Sequence, residues 1–247
     1  MFPLVTVIMP AYNCVHTVKQ SICSILAQTM PDFELLVVDD GSSDQTFDLL
    51  MMLKQTDSRM IVLKNECNIG VAATRNRAIN LAKGEYIAFL DSDDIWKVDK
   101  LQKQITLLKK NNGDLCFTSY EFVDVSGISI RQPPYIVPQK TSYYNMLCEN
   151  VVGLSTVLVR RDILRNVQFE KEWFHEDYVL WLSLLRMGKT FWGISDVLMT
   201  YRMGGRSSNK AKAAKERWKI YRKHENLSFI ESLYFFCIYI YNGIRKN

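Results

Sequence analysis

"GEYIAFLDSDDIW", Gly84 to Trp96, is the stretch that decides the fold. Its apolar run, Tyr86 to Leu90, does not alternate with polar residues, which is the pattern of a strand covered on both faces. The run ends abruptly in Asp91, Asp93 and Asp94, with only Ser92 among them. Carboxylates crowded in this way repel one another and any phosphate, so they stay ionised together chiefly when a divalent cation lies between them and an anionic ligand. Oxygen-only ligands select a hard ion, Mg²⁺ or Mn²⁺, which binds through one or two carboxylates plus substrate phosphates. The implied ligand is a diphosphate.

The same strand-then-polar-turn pattern precedes this stretch. The apolar run Val5 to Met9 leads into "PAYN", and Val15, Val18, Ile22, Ile25 and Leu26 then fall at helical spacing. "ELLVV" runs into Asp39, Asp40 and "GSSD"; Thr46 to Leu53 reads as helix, "MIVLKN" from Met60 as strand, and Gly70 to Lys83 as helix. Continuous apolar strands alternating with helices predict a mainly parallel, Rossmann-like α/β sheet covered on both faces. "PAYN", "DDGSSD" and "DSDD" then all lie at carboxyl ends of strands, where open α/β sheets bind ligands. Alone, each motif is a turn or a helix cap; together they predict one site.

The second half is less regular, and a soft boundary falls near Asn112. "DLCFTSYEFVDVSGISIR" reads as strand and hairpin, "PPYIVP" as loop, "STVLVRRDIL" as strand joined to helix, Glu176 to Met187 as helix, and "TFWGISDVLMTYRM" as strand. These readings divide the chain into 1–112, an α/β half, 113–205, a smaller mixed half of the same domain, and 206–247, a basic and aromatic helical tail. A length of 247 residues with 48% hydrophobic composition suits one large core. The formal charge of +5 favours anionic partners without requiring nucleic acid. Six cysteines without CxxC pairs or zinc spacing predict buried free thiols and a reducing cytoplasm. "MFPLVTVIMPAYN" lacks a basic n-region and a small-residue cleavage site, so it is expected to open the fold rather than direct export.

In order, "VTVIMPAYN", "LLVVDDGSSDQT", "NIGVAATRNRAI", "GEYIAFLDSDDIW" and "HEDYVLWLSLLRMGK" resemble the family 2 glycosyltransferases of the GT-A fold. The resemblance implies inverting transfer of a sugar from a nucleoside-diphosphate donor. It places Pro10 and Tyr12 on the donor side, with Tyr12 stacked on the base. Asp40 would accept from a pyrimidine N3, and Asp39 would fix the loop, which makes a UDP-sugar the expected donor. Asp91, Ser92 and Asp93 match the DXD motif, in which Asp93 binds Mn²⁺ or Mg²⁺ directly and Asp91 faces the ribose or the metal's water shell. Asp94 is read as capping the following helix. Arg75 would hold a donor phosphate or the metal-binding loop, the alternative being a salt bridge on a helix surface.

Inversion needs a general base on the far side of the sugar from the leaving diphosphate. Asp177 matches that role by the resemblance, Glu176 would orient the acceptor, and His175 is a flanking polar residue. Trp181, one turn beyond, either floors the acceptor pocket or packs in the core. Arg202 and Arg206 of "YRMGGRSSN" would stabilise the leaving group. Many relatives carry a histidine in this stretch that completes the metal site; here Arg206 would pair with pyrophosphate instead. Gly204 and Gly205 suggest a lid over the donor. Two other classes stay open: a nucleotidyltransferase, although no glycine-rich lysine-bearing loop follows the first strand, and a non-catalytic nucleotide-sugar-binding protein.

The expected acceptor is a saccharide or lipid-linked saccharide, and the expected process is building of bacterial surface polysaccharide. The C-terminus sets a basic segment before the apolar run Leu233 to Tyr241, which is too short to span a bilayer. It is read as lying on the cytoplasmic face of the membrane, the alternative being a helix packed on the catalytic domain or on a second copy in a homo-oligomer.

Overall fold

Seven consecutive buried residues in each of the first two strands set the architecture. β1 (Val5–Ala11) and β2 (Phe33–Asp39) are covered on both faces along their whole length. With β3 (Met60–Lys64) and β4 (Tyr86–Phe89) they form a parallel block in the order β3-β2-β1-β4. The helices α1 (Val18–Leu26), α2 (Thr46–Lys54) and α3 (Val71–Leu81) are the crossovers. β1 sends β2 and β3 to one side and β4 to the other, which opens a crevice at the carboxyl ends where the strand order reverses. The computed structural model describes residues 2–204 and 210–245.

After β4 come β5 (Ile95–Trp96), α4 (Lys100–Asn111), β6 (Leu115–Val123), β7 (Lys140–Thr141) and α5 (Tyr143–Cys148). β8 (Leu158–Arg160), α6 (Glu176–Arg186), β9 (Phe191–Arg202), α7 (Lys210–Lys219) and α8 (Phe229–Arg245) complete the chain. The sheet continues from β4 as β8-β6-β9-β5, and β7 also pairs with β9. β8 is antiparallel to both β4 and β6, whereas β6 and β9 are parallel. Asn112, where the composition shifts, is only the left-handed end of α4, at φ 46°. One sheet runs across it.

Strand alternation feeds two cores. Ile8, Leu36, Val38, Ile87 and Phe89 face one core with Tyr178, Val179 and Trp181 of α6. Val7, Met9, Leu35, Val37 and Ala88 face the other with Val18, Ile22 and Ile25 of α1. Each fully buried Val, Leu or Ile contributes roughly 1.5–3 kcal/mol, so the parallel block is a rigid platform for the loops at its end.

Three local expectations change. "RRDIL" closes into a 3₁₀ turn, Arg161–Leu164, instead of a helix. All six cysteines are free, yet Cys23, Cys67 and Cys237 are exposed rather than buried. Asp94 caps no helix: the chain after it pairs as β5, and Asp99 occupies the N-cap position of α4.

Candidate active site

The loops after β1 and β2 are tied together by short polar side chains. Asn13, at φ 46°, accepts at Oδ1 from Ser43 N (2.9 Å) and Asp44 N (3.4 Å), and Thr46 Oγ1 accepts from Cys14 N (2.9 Å). Gly41 sits at φ +70°, and a Cβ there would lie 2.7 Å from the Cys67 carbonyl carbon, so only glycine lets this turn pass the loop ahead of α3. Asp39 accepts from Ser42 N (3.2 Å) within the turn and is fully buried.

Asp40 faces the cleft and anchors the other loop. Its Oδ1 accepts from Asn65 Nδ2 (2.7 Å) and Ile69 N (3.0 Å), and its Oδ2 accepts from Gly70 N (3.0 Å). Two carboxylate oxygens offer about four acceptor directions, so these three bonds leave capacity for a ligand donor. Tyr12 stands at the rim with 48% of its surface exposed, a ring placed to cover a planar group.

Strand register explains how the acidic turn is held. β4 meets β8 with Ala88 opposite Leu158, and continuing that antiparallel register three residues puts Ser155 against Asp91. Asp91 N donates to Ser155 Oγ at 3.1 Å. β5 meets β9 with Ile95 opposite Thr200, and two further residues bring Arg202 against Asp93. Arg202 Nε donates to the Asp93 carbonyl (3.0 Å), Nη1 to the Val125 carbonyl (3.2 Å) and Nη2 to Gln20 Oε1 (3.0 Å). Its backbone N–H donates to Asp94 Oδ1 (3.0 Å). Arg202 therefore braces the turn from behind and does not line the cleft, which corrects the expectation that it meets the leaving diphosphate.

Arg75, in the second turn of α3 and 3% exposed, links two acidic groups. Its Nη2 bonds Asp91 Oδ1 at 2.6 Å and its Nη1 bonds Glu176 Oε1 at 2.8 Å, with Phe169 stacked 5.5 Å from the guanidinium. Burial opposes its charge, but Asp91 and Glu176 outweigh that and raise its pKa. It is a brace between the β4 turn and the start of α6.

Glu176 and Asp177 occupy the first turn of α6, where a helix N-terminus favours negative charge. Burial, and then the charge of Glu176, push Asp177 up to about 6. Burial and Asp91 push Asp93 up to about 6, and burial, then the charges of Asp93 and Asp91, hold the buried Asp94 well above the usual carboxylate range. Among the described residues no His, Cys, Asp or Glu side chains group in threes at ligand spacing. The acidic turn instead offers two partly exposed carboxylates, Asp91 and Asp93, the second disfavoured as an anion without a cation nearby. That donor set fits a hard divalent ion that takes its remaining ligands from phosphate and water.

These groups line one cleft of about 630 Å³, within the range of small-ligand sites. Pro10, Tyr12, Asp40, Arg75, Asp91, Ser92 and Asp93 line it from the parallel block, and Phe174, His175, Glu176 and Asp177 line it from the start of α6 and the residues just before it. Trp181 is absent from it. Its ring has no exposed surface and meets Phe191 edge-on at 6.3 Å in the core, because its position on α6 points at the sheet. Arg206 lies outside the described residues, as does Gly205; Gly204 is at φ +106°. Ser155, Asn150, Phe174, Tyr120 and Tyr201 also line the cleft, and no motif marks them.

A parallel nucleotide-type block whose acidic turn faces a second acidic pair from a mixed half is the arrangement of a GT-A glycosyltransferase. Residues 6–167 match the family described as Glycosyl transferase family 2, and the chain belongs to it. Over 246 residues it is 37% identical to the "Putative teichuronic acid biosynthesis glycosyltransferase TuaG" of Bacillus subtilis, covering 99% of this chain and 97% of that one. It is 38% identical to the Escherichia coli "UDP-Glc:alpha-D-GlcNAc-diphosphoundecaprenol beta-1,3-glucosyltransferase WfgD", covering 99% and 95%. In fold it resembles S. aureus TarS 1–349 in complex with UDP-GlcNAc, with a TM-score of 0.71, 22% identity, and 88% of this chain and 64% of that one covered. It also resembles the mannosyltransferase PcManGT from Pyrobaculum calidifontis in complex with GDP-Man and Mn²⁺, with a TM-score of 0.72, 19% identity, and 92% and 66% covered.

Proposed function

We propose that this enzyme transfers a sugar, with inversion, from a UDP-sugar to a hydroxyl of a lipid-linked saccharide on the inner face of a bacterial membrane. The observation that carries the reading is that the acidic turn after β4 and the acidic pair at the start of α6 line one cleft and are joined by Arg75. Tyr12 covers the base, and the unused acceptor capacity of Asp40 receives the uracil N3–H. Asp93, with Asp91 beside it, would hold Mn²⁺ or Mg²⁺, which when bound would supply positive charge to offset that of the leaving diphosphate.

Asp177 takes the proton from the acceptor hydroxyl as its oxygen attacks the anomeric carbon; the bond to the diphosphate breaks and UDP leaves with that electron pair. A base near 6 is ionised at neutral pH and still basic enough to accept a proton in the transition state. Glu176, fixed by Arg75, orients the acceptor. Residues 1–112 bind the donor, and 113–205 shape the acceptor side. The WfgD name supports UDP-glucose and a GlcNAc-diphospholipid as first substrates to try. Incubated with Mn²⁺ and a panel of UDP- and GDP-sugars, the protein should release UDP only when that acceptor is present. Release of GDP instead, or of neither nucleotide with any acceptor, overturns the reading.

A further inference from the structure

The C-terminal unit carries surface that sugar transfer does not use. α8 starts at a capping box in which Ser228 N donates to Glu231 Oε2 (2.8 Å) and Glu231 N donates to Ser228 Oγ (3.2 Å). Its inner face is anchored: Ser232 and Phe235 are buried, Tyr144 and Tyr221 lie against Phe235, and Phe236 meets Trp218 of α7 at 5.4 Å. The opposite face is apolar and bare. Ile230, Leu233, Tyr234, Cys237, Tyr241 and Ile244 recur at helical spacing along it, all exposed, with Ile230 at 79% and Ile244 at 71%.

Charge accompanies this stripe. After Gly205 the chain has ten Lys and Arg against three Asp and Glu, whereas the first 205 residues have 21 against 23, so the whole positive surplus lies in the C-terminal unit. Lys212, Lys215, Arg222 and Lys223 are exposed. Lys212 Nζ sits 4.4 Å from the ring of Phe174, a residue of the cleft wall, so the basic unit borders the acceptor side of the site.

We propose that the outer face of α8, with the basic residues of α7 and the turn after it, is a docking surface for an anionic lipid bilayer. The proposal rests on the reading that the acceptor is lipid-linked, and it adds where the protein meets the lipid. No helix among the described residues is long and apolar enough to cross a membrane, so α8 lies in the plane of the interface. Tyrosines along an isoleucine stripe suit headgroup depth, and each nearby Lys or Arg strengthens binding to anionic lipid on the order of fivefold. A second copy of the chain fits the stripe poorly. About 20 Å of helix, about 10 Å wide, offers on the order of 200 Å², against about 800 Å² per partner in a stable interface, and pairing would bring two like-charged basic units together.

The test is flotation of the full-length protein with vesicles of equal phosphatidylglycerol and phosphatidylcholine, or phosphatidylcholine alone, without donor or acceptor. The parent should float with anionic vesicles at 50 mM salt and be released at 500 mM, by roughly the salt screening of surface charge. Ile230→Ser/Tyr234→Ser/Tyr241→Ser and, separately, Lys212→Gln/Lys215→Gln/Arg222→Gln/Lys223→Gln should each raise the half-saturating lipid concentration at least tenfold, with unchanged melting and unchanged UDP-sugar binding. A parent that stays unbound at low salt overturns the proposal, as do variants that float like the parent. A dimer dispersed by the serine variant with vesicle binding intact assigns the stripe to a second copy and overturns it too. These outcomes leave the activity reading standing, and absent UDP release leaves vesicle binding standing.

Discussion

Replacing Arg75 with alanine removes a side chain that joins the acidic turn after β4 to the start of α6. Its two ion pairs differ in worth. Glu176 is 5% exposed in its side chain and Arg75 3%, so this pair is desolvated, and breaking such a pair costs about 3–5 kcal/mol. Asp91 is 39% exposed, and solvent screening limits that pair to at most about 1 kcal/mol. For a chain of this size each kcal/mol moves the melting midpoint by about 2–4 °C, so Arg75→Ala should melt roughly 10 °C lower. Arg75→Lys keeps the charge but cannot serve two carboxylates from one planar fork, so it should recover part of the stability and little of the activity. In both variants the turn and α6 can shift independently, and misplacement of about 1 Å costs on the order of a hundredfold in turnover. Thermal melting by circular dichroism, with acceptor-dependent UDP release alongside, reads both effects. An alanine variant that melts with the parent and turns over at its rate would falsify the brace.

Asp93→Asn should abolish the Mn²⁺-dependent part of donor affinity in calorimetric titration without lowering the melting point, because the fold holds the Asp93 anion at a cost; donor affinity that stays Mn²⁺-dependent refutes the metal assignment. A carboxyl raised to about 6 is protonated more readily than in water, so kcat/KM should fall about tenfold per pH unit below about 6 and level off above 7. A profile flat from pH 5 to 8 contradicts the base role of Asp177. Trp181→Ala should lose about 3–5 kcal/mol in chemical denaturation yet leave the acceptor KM of the folded fraction unchanged; a raised KM at parental stability would return Trp181 to the acceptor pocket.

The parallel block was legible because its physics is local. Apolar strands of four to seven residues, helical spacing between them, and polar turns at their ends are written in short windows, and β1 to β4 with α1 to α3 follow them. The acidic residues were legible for the same reason, since a strand ending in carboxylates stands out in any context. What a window does not contain is register. Ser155 reaches Asp91, and Arg202 reaches Asp93, only because β8 and β9 run antiparallel to β4 and β5 at one particular offset. Trp181 and Asp177 lie on one helix at neighbouring positions, and only the packing of α6 shows that one faces the core and the other the cleft. The C-terminal run showed its amphipathic character in sequence, but which of its faces was already covered, by Phe235 on the catalytic domain, needed the tertiary structure.

The central claim is that Asp177 acts on the acceptor while the loops after β1, β2 and β4 hold the donor, and Asp177→Asn separates the two most directly. UDP-sugar affinity of this variant, titrated with Mn²⁺, should stay within about threefold of the parent, and acceptor-dependent UDP release should fall at least roughly a hundredfold, the usual worth of a positioned base. Release at the parental rate, or donor affinity lost in step with the rate, would contradict the account.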